Sequence, residues 1–350
     1  MAKKRILSSP LFAAPETILT DNKNVNAETE NVAPAGEQNA LRIILKQREA
    51  NYSFGESVIS KMTYPLPPFS AVIGALHTAC GYKTYHPMDI SVQGKFAAKG
   101  QEVYRSVVPM ESLQNDRDIL CYTEIPGILG NGYIVVAAAD KQGADIAKGK
   151  DTTVYNENLY QKYISEKKTK SIDPRFMTIN KAIRYYENIY ELELVLHIRT
   201  DKTTVADIKN NINNFTALGR REDFVEIVAC DEVLLKALTN DIDEIVAPTG
   251  YSGYLHPLFL EKNVLSATVD KDFSTRGTLF NLPKNYQIIK ENKKSVGVGR
   301  REFTKKWAIW ASGYAVDKNS SNNMQNLPPV LQNCLWLDVD GEQKYIVDFF

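Results

Sequence analysis

The sequence ALRIILKQREANYSF, residues 40–54, contains the clearest strand pattern in the chain. Leu41, Ile43 and Leu45 alternate along it with a second set of side chains that is partly basic. A period of two predicts a β-strand with one buried face and one partly basic face. This strand is the first regular element that the sequence predicts.

A helix and a second strand are predicted next. The segment YPLPPFS, residues 64–70, contains three prolines, which exclude regular structure until Ser70. Ser70 is predicted to be the N-cap of the helix AVIGALHTACG, residues 71–81, which ends at Gly81. The segment DISVQGKF, residues 89–96, predicts the second strand.

The second half of the fold repeats this order. IYELELVLHI, residues 189–198, alternates as a strand, and TTVADIKNNINNFTALG, residues 203–219, predicts a helix with Gly219 at its C-terminal end. A fourth strand begins at Phe224. Residues 114–180 are then an insertion, which we expect to be an extended hairpin. The order is βαββαβ, the ferredoxin-like arrangement of an α+β fold.

These elements divide the chain into three predicted parts. Residues 1–38 are polar and lack a periodic apolar pattern, which predicts a flexible tail. Residues 39–240 form the predicted ferredoxin-like domain with its insertion. Residues 241–350 contain short strand patterns and a glycine-rich motif, which predict a smaller β-rich C-terminal lobe.

The charges balance overall but not locally. The 350 residues contain 42 basic and 42 acidic side chains, and a net charge of zero gives no support to nucleic-acid binding by itself. Residues 290–307, however, contain seven basic side chains against two acidic ones. Charge that is segregated in this way gives a neutral molecule one basic face.

Several classes of function lack their motifs. The apolar runs are shorter than the roughly 20 residues of a membrane helix. The four cysteines have no metal-ligand spacing, which predicts a cytoplasmic protein with reduced thiols and neither metal nor cofactor. Metalloprotease, nucleophile-elbow and phosphate-loop motifs are absent from the sequence.

The four histidines offer little catalytic chemistry. His77 lies in the predicted helix and His197 in an apolar strand, so structural roles are expected for both. His86 beside Tyr85 is the single candidate for general acid–base cleavage of RNA. We therefore expect no catalytic residue.

Two similar arginine motifs stand far apart: LGRRE at residues 218–222 and VGVGRRE at residues 296–302. One interpretation of each is a solvated surface. The other is a tight backbone that allows two guanidinium groups to face a phosphodiester. Gly219 is explained by a helix C-cap, whereas Gly297 and Gly299 suit either a tight turn or an anion-binding nest.

Basic and aromatic residues gather where the first strand ends. Lys46, Arg48, Asn51, Tyr52 and Phe54 could neutralise phosphates and stack on bases, as in readers of single-stranded RNA. An ordinary polar strand edge is the alternative.

Two segments resemble a known family. ANYSFGESVISKMTYPLPPFSAVIGALHTACGY, residues 50–82, resembles the N-terminal signature of the CRISPR-associated Cas five family. ALGRREDF, residues 217–224, resembles the motif that this family carries after its second helix. VGVGRRE is similar to the glycine-rich loop of the wider repeat-associated RNA-binding (RAMP) superfamily. The resemblance covers roughly residues 40–310 and is closest to the type I-B branch.

The resemblance implies a non-catalytic subunit of Cascade in antiviral defence. Such a subunit holds the 5′ handle of the CRISPR RNA and caps the filament of backbone subunits, and a thumb hairpin kinks the guide. The implied partners are that handle, the backbone subunits, the large subunit and target DNA near the protospacer-adjacent motif. The residues expected to contact RNA are Lys46, Arg48, Asn51, Tyr52, Phe54, Lys61, Tyr64, Ser70, Arg220, Arg221, Gly297, Gly299, Arg300, Arg301, Lys305 and Lys306.

Two other roles remain open. In the type I-C branch the same subunit is the metal-independent endoribonuclease that matures the guide, and its activity is associated with a tyrosine and a lysine–histidine pair. This sequence contains no Lys-His dipeptide, which favours the non-catalytic role. A transposon-associated Cascade, which guides DNA integration, would use the same kind of subunit.

Overall fold

The fold is taken from a computed structural model, which describes residues 36–55, 57, 60–110, 116–123, 132–141, 145–169, 171–239, 244–267, 277–289, 300–339 and 341–350. Of the predicted flexible tail, residues 1–35 lie outside this described part. The first strand already begins at Glu37.

Seventeen strands and six α-helices make up the described chain. The first are β1 (Glu37–Ala50), β2 (Ser60–Lys61), α1 (Phe69–Cys80) and β3 (Asp89–Lys95). They are followed by β4 (Ala98–Met110), β5 (Asp118–Thr123), β6 (Gly132–Ala139), β7 (Thr152–Val154), α2 (Glu157–Thr169) and β8 (Phe176–Arg199). Next come α3 (Lys202–Asn211), β9 (Glu226–Lys236), β10 (Ile245–Val246), β11 (Ser252–Leu255), α4 (Pro257–Glu261) and β12 (Ser266–Ala267). The last are β13 (Thr278–Ile289), β14 (Arg300–Ser312), β15 (Tyr314–Val316), α5 (Lys318–Gln325), α6 (Pro329–Gln332), β16 (Leu335–Asp338) and β17 (Tyr345–Asp348).

Four strands form the centre in the order β3-β8-β1-β9. Each neighbouring pair is antiparallel. With β1, β3, β8 and β9 as the first to fourth strands of βαββαβ, this is the order 4-1-3-2 of the ferredoxin-like fold. The predicted α+β fold class is therefore confirmed.

The alternation in β1 separates its two faces as the sequence predicts. Leu41, Ile43 and Leu45 are fully buried in the main core. Helix α1 covers that face with Phe69 and Leu76, which are also fully buried. The helix layer and one face of the sheet thus share one apolar core, and its burial is the main favourable term in folding.

Helix α1 begins earlier than predicted. Its N-cap is Pro68, no side chain caps the end, and Ser70 lies inside the first turn. The prediction of Ser70 as N-cap is wrong because Phe69, a core residue, is already helical, and Pro68 supplies the extended conformation before it. Gly81 ends the helix with φ of +68°, which confirms the predicted left-handed cap.

Helix α3 is shorter than predicted. It ends at Asn211 and is followed by a single 3-10 turn, Ile212–Asn214. Gly219 therefore is not a helix cap, although its φ of +108° confirms the need for glycine. After the 3-10 turn, Phe215 and Leu218 are both buried in the core.

The insertion between β3 and β8 is longer and more elaborate than a hairpin. Strand β4 pairs with β8 from Ala98↔Tyr190 to Met110↔Thr178, so the insertion begins before residue 114. Strands β5 to β7 and helix α2 then pack around a small core of their own. Helix α2 forms in the lysine-rich segment because Tyr160 and Tyr163, three residues apart, are buried on one side of it.

The C-terminal strands close the central sheet into a ring. Strand β16 pairs with β9, and β17 pairs with β16. Phe350 then reaches the far strand β3: its N–H donates to the Ile90 carbonyl at 3.2 Å, and the Gln93 side chain donates to the Ile346 carbonyl at 2.9 Å. A second apolar core fills this ring. The division into domains at residue 240 stays a prediction.

A buried ionic group lies inside the ring. Asp338 accepts hydrogen bonds from Arg42 Nη1 at 2.8 Å and from His197 Nε2 at 2.9 Å, and the side chains of Asp338 and His197 are fully buried. Burial lowers the pKa of His197, and the bond to Asp338 opposes this only in part. Burial would raise the pKa of Asp338, but His197 and Arg42 outweigh it and the pKa is lowered. His197 is therefore neutral beside an ionised Asp338 that Arg42 balances.

We expect the free energy of unfolding to decrease as the pH falls below about 6.5, because the unfolded chain then protonates His197 more readily than the folded chain does. His77, whose pKa is also lowered, adds in the same direction. Urea unfolding of the wild type and His197→Gln at about pH 7.5 and about pH 5 measures this. An equal pH dependence in the two proteins would assign the effect to other groups.

Candidate functional site

The end of β1 and the loop of residues 218–223 are joined by buried hydrogen bonds. Gln47 Nε2 donates to the carbonyls of Leu218 at 2.9 Å and Asp223 at 3.0 Å. The carboxylate of Asp223 accepts from the backbone N–H of Asn51 at 3.0 Å and of Arg220 at 2.8 Å. We call this network the clasp; its members are Gln47, Asn51, Tyr52, Gly219, Arg220 and Asp223.

Gly219 allows the clasp to close. A Cβ atom at this position would lie 2.7 Å from Asp223 Oδ2, 3.1 Å from the Asn51 carbonyl oxygen and 3.3 Å from the Tyr52 ring. The positive φ adds a second reason, because side-chain-bearing residues rarely adopt it. The fold thus explains why glycine occupies the second position of the LGRRE motif.

Arg220 is surrounded by carboxylates. Its guanidinium lies 2.7 Å from Asp223 Oδ1, 3.4 Å from Glu49 Oε1 and 3.5 Å from Glu222 Oε1. Its side chain is 17% exposed. Burial would lower the pKa of Arg220, but Asp223 and the two glutamates raise it. A phosphate would have to compete with three carboxylates for this arginine, whereas Arg221 beside it is exposed.

Several predicted RNA contacts are turned inward. Asn51 and Tyr52 are buried, and Tyr52 donates to the Gln47 side chain. Tyr64 is also buried and stacks on Phe54 at 3.9 Å between ring centroids. These buried side chains hold the turn that leads into the proline segment. Contact between them and RNA stays a prediction that this placement does not favour.

The other predicted contacts are spread over three places. Lys46 and Arg48 are exposed on β1, while Lys61 and Ser70 are half-buried. Arg301, Lys305 and Lys306 are exposed on β14, where Arg300 also lies. Gly297 and Gly299 lie outside the described residues. Among the described members of the predicted set, the structure thus brings Asn51, Tyr52 and Arg220 together in the clasp and places the others elsewhere.

A pocket of about 520 Å³ opens beside the clasp. Its walls contain one arginine and four glutamates besides two aromatic side chains: Arg48, Glu49, Glu102, Tyr190, Glu191, Glu222 and Phe224. The four glutamate carboxylates repel a phosphate group. Arg48 is thus placed at the rim of an acidic pocket, and a nucleic-acid backbone is not expected to enter it.

Strands β13 and β14 form a two-stranded ribbon whose outer face is aromatic and basic. Tyr286 pairs with Phe303, and their ring centroids are 5.6 Å apart. The Arg301 guanidinium lies 4.6 Å from the centroid of the Tyr286 ring. We call Tyr286, Arg301, Phe303, Lys305 and Trp307 the ribbon face.

The sequence analysis found the basic members of the ribbon face and missed the aromatic ones. A signal was present: Arg301, Phe303, Lys305 and Trp307 follow each other at a period of two. That period places all four on one face of a strand. The prediction for VGVGRRE depends on its glycines and its arginine pair instead.

The catalytic candidate is held by its neighbours. The ring of His86 stacks on Tyr82 with 3.6 Å between centroids, and its Nδ1 lies 3.4 Å from Thr204 Oγ1. Tyr82 in turn donates to Asp207 at 2.9 Å, while Tyr85 is exposed. This arrangement orders the chain after α1, and we assign no chemistry to it.

The described residues offer neither a metal-binding cluster nor a membrane-spanning helix. They contain no group of three or more His, Cys, Asp or Glu side chains that could hold a metal ion. Within the same ranges, no helix has the length and apolar character needed to cross a membrane.

Comparison with known proteins gives structural similarities only. No family model matches the chain, and no curated protein sequence does. One similar solved structure is a chain of a "CRISPR RNA-guided surveillance complex", with 11% identity, coverage of 79% of this chain and 90% of that chain, and a TM-score of 0.36. Another is a CRISPR protein from Archaeoglobus fulgidus, with 10% identity, coverage of 89% and 100%, and a TM-score of 0.33. At these values neither similarity decides a function.

Proposed function

We propose that this chain is a non-catalytic RNA-binding subunit of a type I CRISPR Cascade, closest to type I-B, which holds the 5′ handle of the guide RNA. One observation carries the proposal. The two segments that resemble the Cas five family, residues 50–82 and 217–224, lie far apart in sequence, and the clasp joins them through Asn51 and Asp223. The clasp thus links the two segments physically, and the exposed Arg221 lies next to it in the chain.

The architecture around the clasp supports the same role. The ferredoxin-like sheet carries its insertion between the second and third strands, the place implied for a thumb. In this proposal the insertion contacts the first backbone subunit, the large subunit docks alongside, and target DNA near the protospacer-adjacent motif lies close by. Base pairing supplies sequence specificity, while the protein holds the shape of the guide.

The proposal separates the two arginines of LGRRE. We expect Arg221→Ala to weaken binding of a handle RNA and to lower the salt slope by about 0.7, the value for one phosphate contact on a single strand. Arg220→Ala should instead reduce stability, because it leaves the buried carboxylate of Asp223 without its cation. Fluorescence anisotropy across a salt titration measures the first effect, and urea unfolding measures the second.

A matched control is Lys209→Ala, which removes an exposed cation from α3. It should change neither quantity by much. The same samples, incubated with repeat RNA and EDTA, should contain intact RNA. Defined cleavage on the 5′ side of the handle would favour the endoribonuclease role, and unchanged binding by Arg221→Ala would make that arginine ordinary surface.

A further inference from the structure

The distal part of the β13–β14 ribbon extends beyond the main sheet. Strand β11 pairs with β14 only from Ile309 to Ser312. Arg300 to Ala308 pair with β13 alone within the described ranges. In this distal part both faces of the ribbon are exposed, and Glu302, Thr304 and Lys306 lie on the side opposite the ribbon face.

The register fixes which side chains share the outer face. Cross-strand pairs project to the same side, and the pairs Tyr286↔Phe303, Pro283↔Lys305 and Asn281↔Trp307 belong together. The opposite side holds Leu282 and Ala308, both fully buried in the core. The ribbon face therefore points away from the core. Tyr286 and Trp307 are each 44% exposed, and Phe303 is 40% exposed.

Three exposed aromatic rings next to each other on one short ribbon require an explanation, because monomeric proteins rarely expose large contiguous apolar patches, whereas single exposed apolar residues are common. The chemistry of their neighbours indicates the ligand. Arg301 and Lys305 alternate with the rings, and no acidic side chain stands among the residues of the ribbon face. Lysine is depleted in protein–protein interfaces, whereas rings interleaved with cations are the usual composition of surfaces that bind single-stranded nucleic acid.

The spacing suits separate bases. Phe303 and Trp307 are four residues apart on a strand, which places them about 13 Å apart. Lys305 lies between them on the same face, where it can reach a phosphate. The neighbouring rings of Tyr286 and Phe303, whose planes are tilted by 56°, offer one apolar platform, and Trp307 offers a second. Arg301 extends the first platform by its position over the Tyr286 ring.

We infer that the ribbon face binds unpaired nucleotides of a single strand by base stacking. The inference rests on the proposed function, since it assigns the RNA-binding subunit a second contact surface away from the clasp. Stacking requires a free base face, so the ribbon selects single strands over duplexes. Arg221 beside the clasp, in contrast, contacts the phosphate backbone, and this contact does not depend on whether the bases are paired.

The test compares ring removal with ring exchange in the full-length chain. The probes are a single-stranded oligoadenylate RNA, its DNA counterpart and a duplex RNA of the same length. We expect Phe303→Ala and Trp307→Ala each to weaken binding of the single strands about 10-fold and to change duplex binding little. Trp307→Phe should retain most of the affinity. Tyr85→Ala, which removes an exposed ring outside the ribbon, is the matched control.

Each result decides between the claims. Unchanged urea midpoints in the ribbon variants would show that lost binding is not lost folding. If the variants lose affinity for both the RNA and the DNA single strand, the ribbon face binds any unpaired strand. If they lose affinity only for the RNA, the ribbon face is specific for RNA. Both results support the inference. If the wild type binds handle RNA while the alanine variants bind every probe equally well, the inference fails and the proposed function stands. If the wild type binds no RNA, the proposed function fails. Loss of association with a backbone subunit alone would make the ribbon face a protein interface and overturn the inference.

Discussion

Replacing Asp338 with alanine is expected to lower the free energy of unfolding by about 3–5 kcal/mol. The side chain is fully buried and accepts hydrogen bonds from both Arg42 and His197. Its removal leaves the largely buried guanidinium of Arg42 without its close counter-ion inside the ring. A buried charge that has lost its partner costs more than the ion pair had contributed, because its desolvation is no longer compensated.

A second acidic neighbour of Arg42 provides the control. Asp231 lies 4.0 Å from Arg42, but its side chain is 59% exposed. Asp231→Ala should therefore change stability by less than about 1 kcal/mol. Urea unfolding of both variants at neutral pH makes the comparison, with circular dichroism to confirm that each folds. Equal losses in the two variants would contradict the role given to burial.

Gly219→Ala is expected to cost about 2–4 kcal/mol, from the strained backbone and the overpacked side chain together. The new methyl group would meet Asp223 Oδ2 at 2.7 Å and the Asn51 carbonyl at 3.1 Å. Asp223 Oδ2 accepts the backbone hydrogen bonds from Asn51 and Arg220, so it cannot move away without lengthening them. The loss of stability should thus be accompanied by weaker binding of handle RNA.

Gly74 is the matched glycine. It lies in helix α1 with nothing within 4 Å of its added Cβ. Gly74→Ala should stabilise the chain by about 0.5–1 kcal/mol, since alanine favours the helix. Thermal or urea unfolding of the two variants should show opposite signs. A neutral Gly219→Ala would mean that the loop of residues 218–223 adapts without cost.

The sequence was sufficient where the signal is local. The alternation of Leu41, Ile43 and Leu45 gave the buried face of β1, and Gly81 marked the end of α1. The order of strands and helices then selected the ferredoxin-like topology, since few arrangements of βαββαβ are possible.

The sequence was insufficient where partners come from distant segments. The sequence predicts Arg220 as a phosphate ligand, but Glu49 of strand β1, 171 residues away in sequence, lies 3.4 Å from its guanidinium, in addition to the nearby Asp223 of the same loop. Asn51 and Tyr52 look like an accessible strand end, yet the loop of residues 218–223 covers them. No local pattern reports which carboxylate will face an arginine after folding.

The ring closure has a consequence for synthesis on the ribosome. Strand β3 is made early, whereas residues 345–350, which hydrogen-bond to it, are made about 250 residues later. Until they emerge, the side of the sheet that carries His197 stays open to water, and the helix-covered core lacks Phe350, which stacks on Phe69 of α1. The nascent chain therefore exposes apolar side chains of the sheet until its last residues are synthesised. Chaperones can bind this exposed surface during that time.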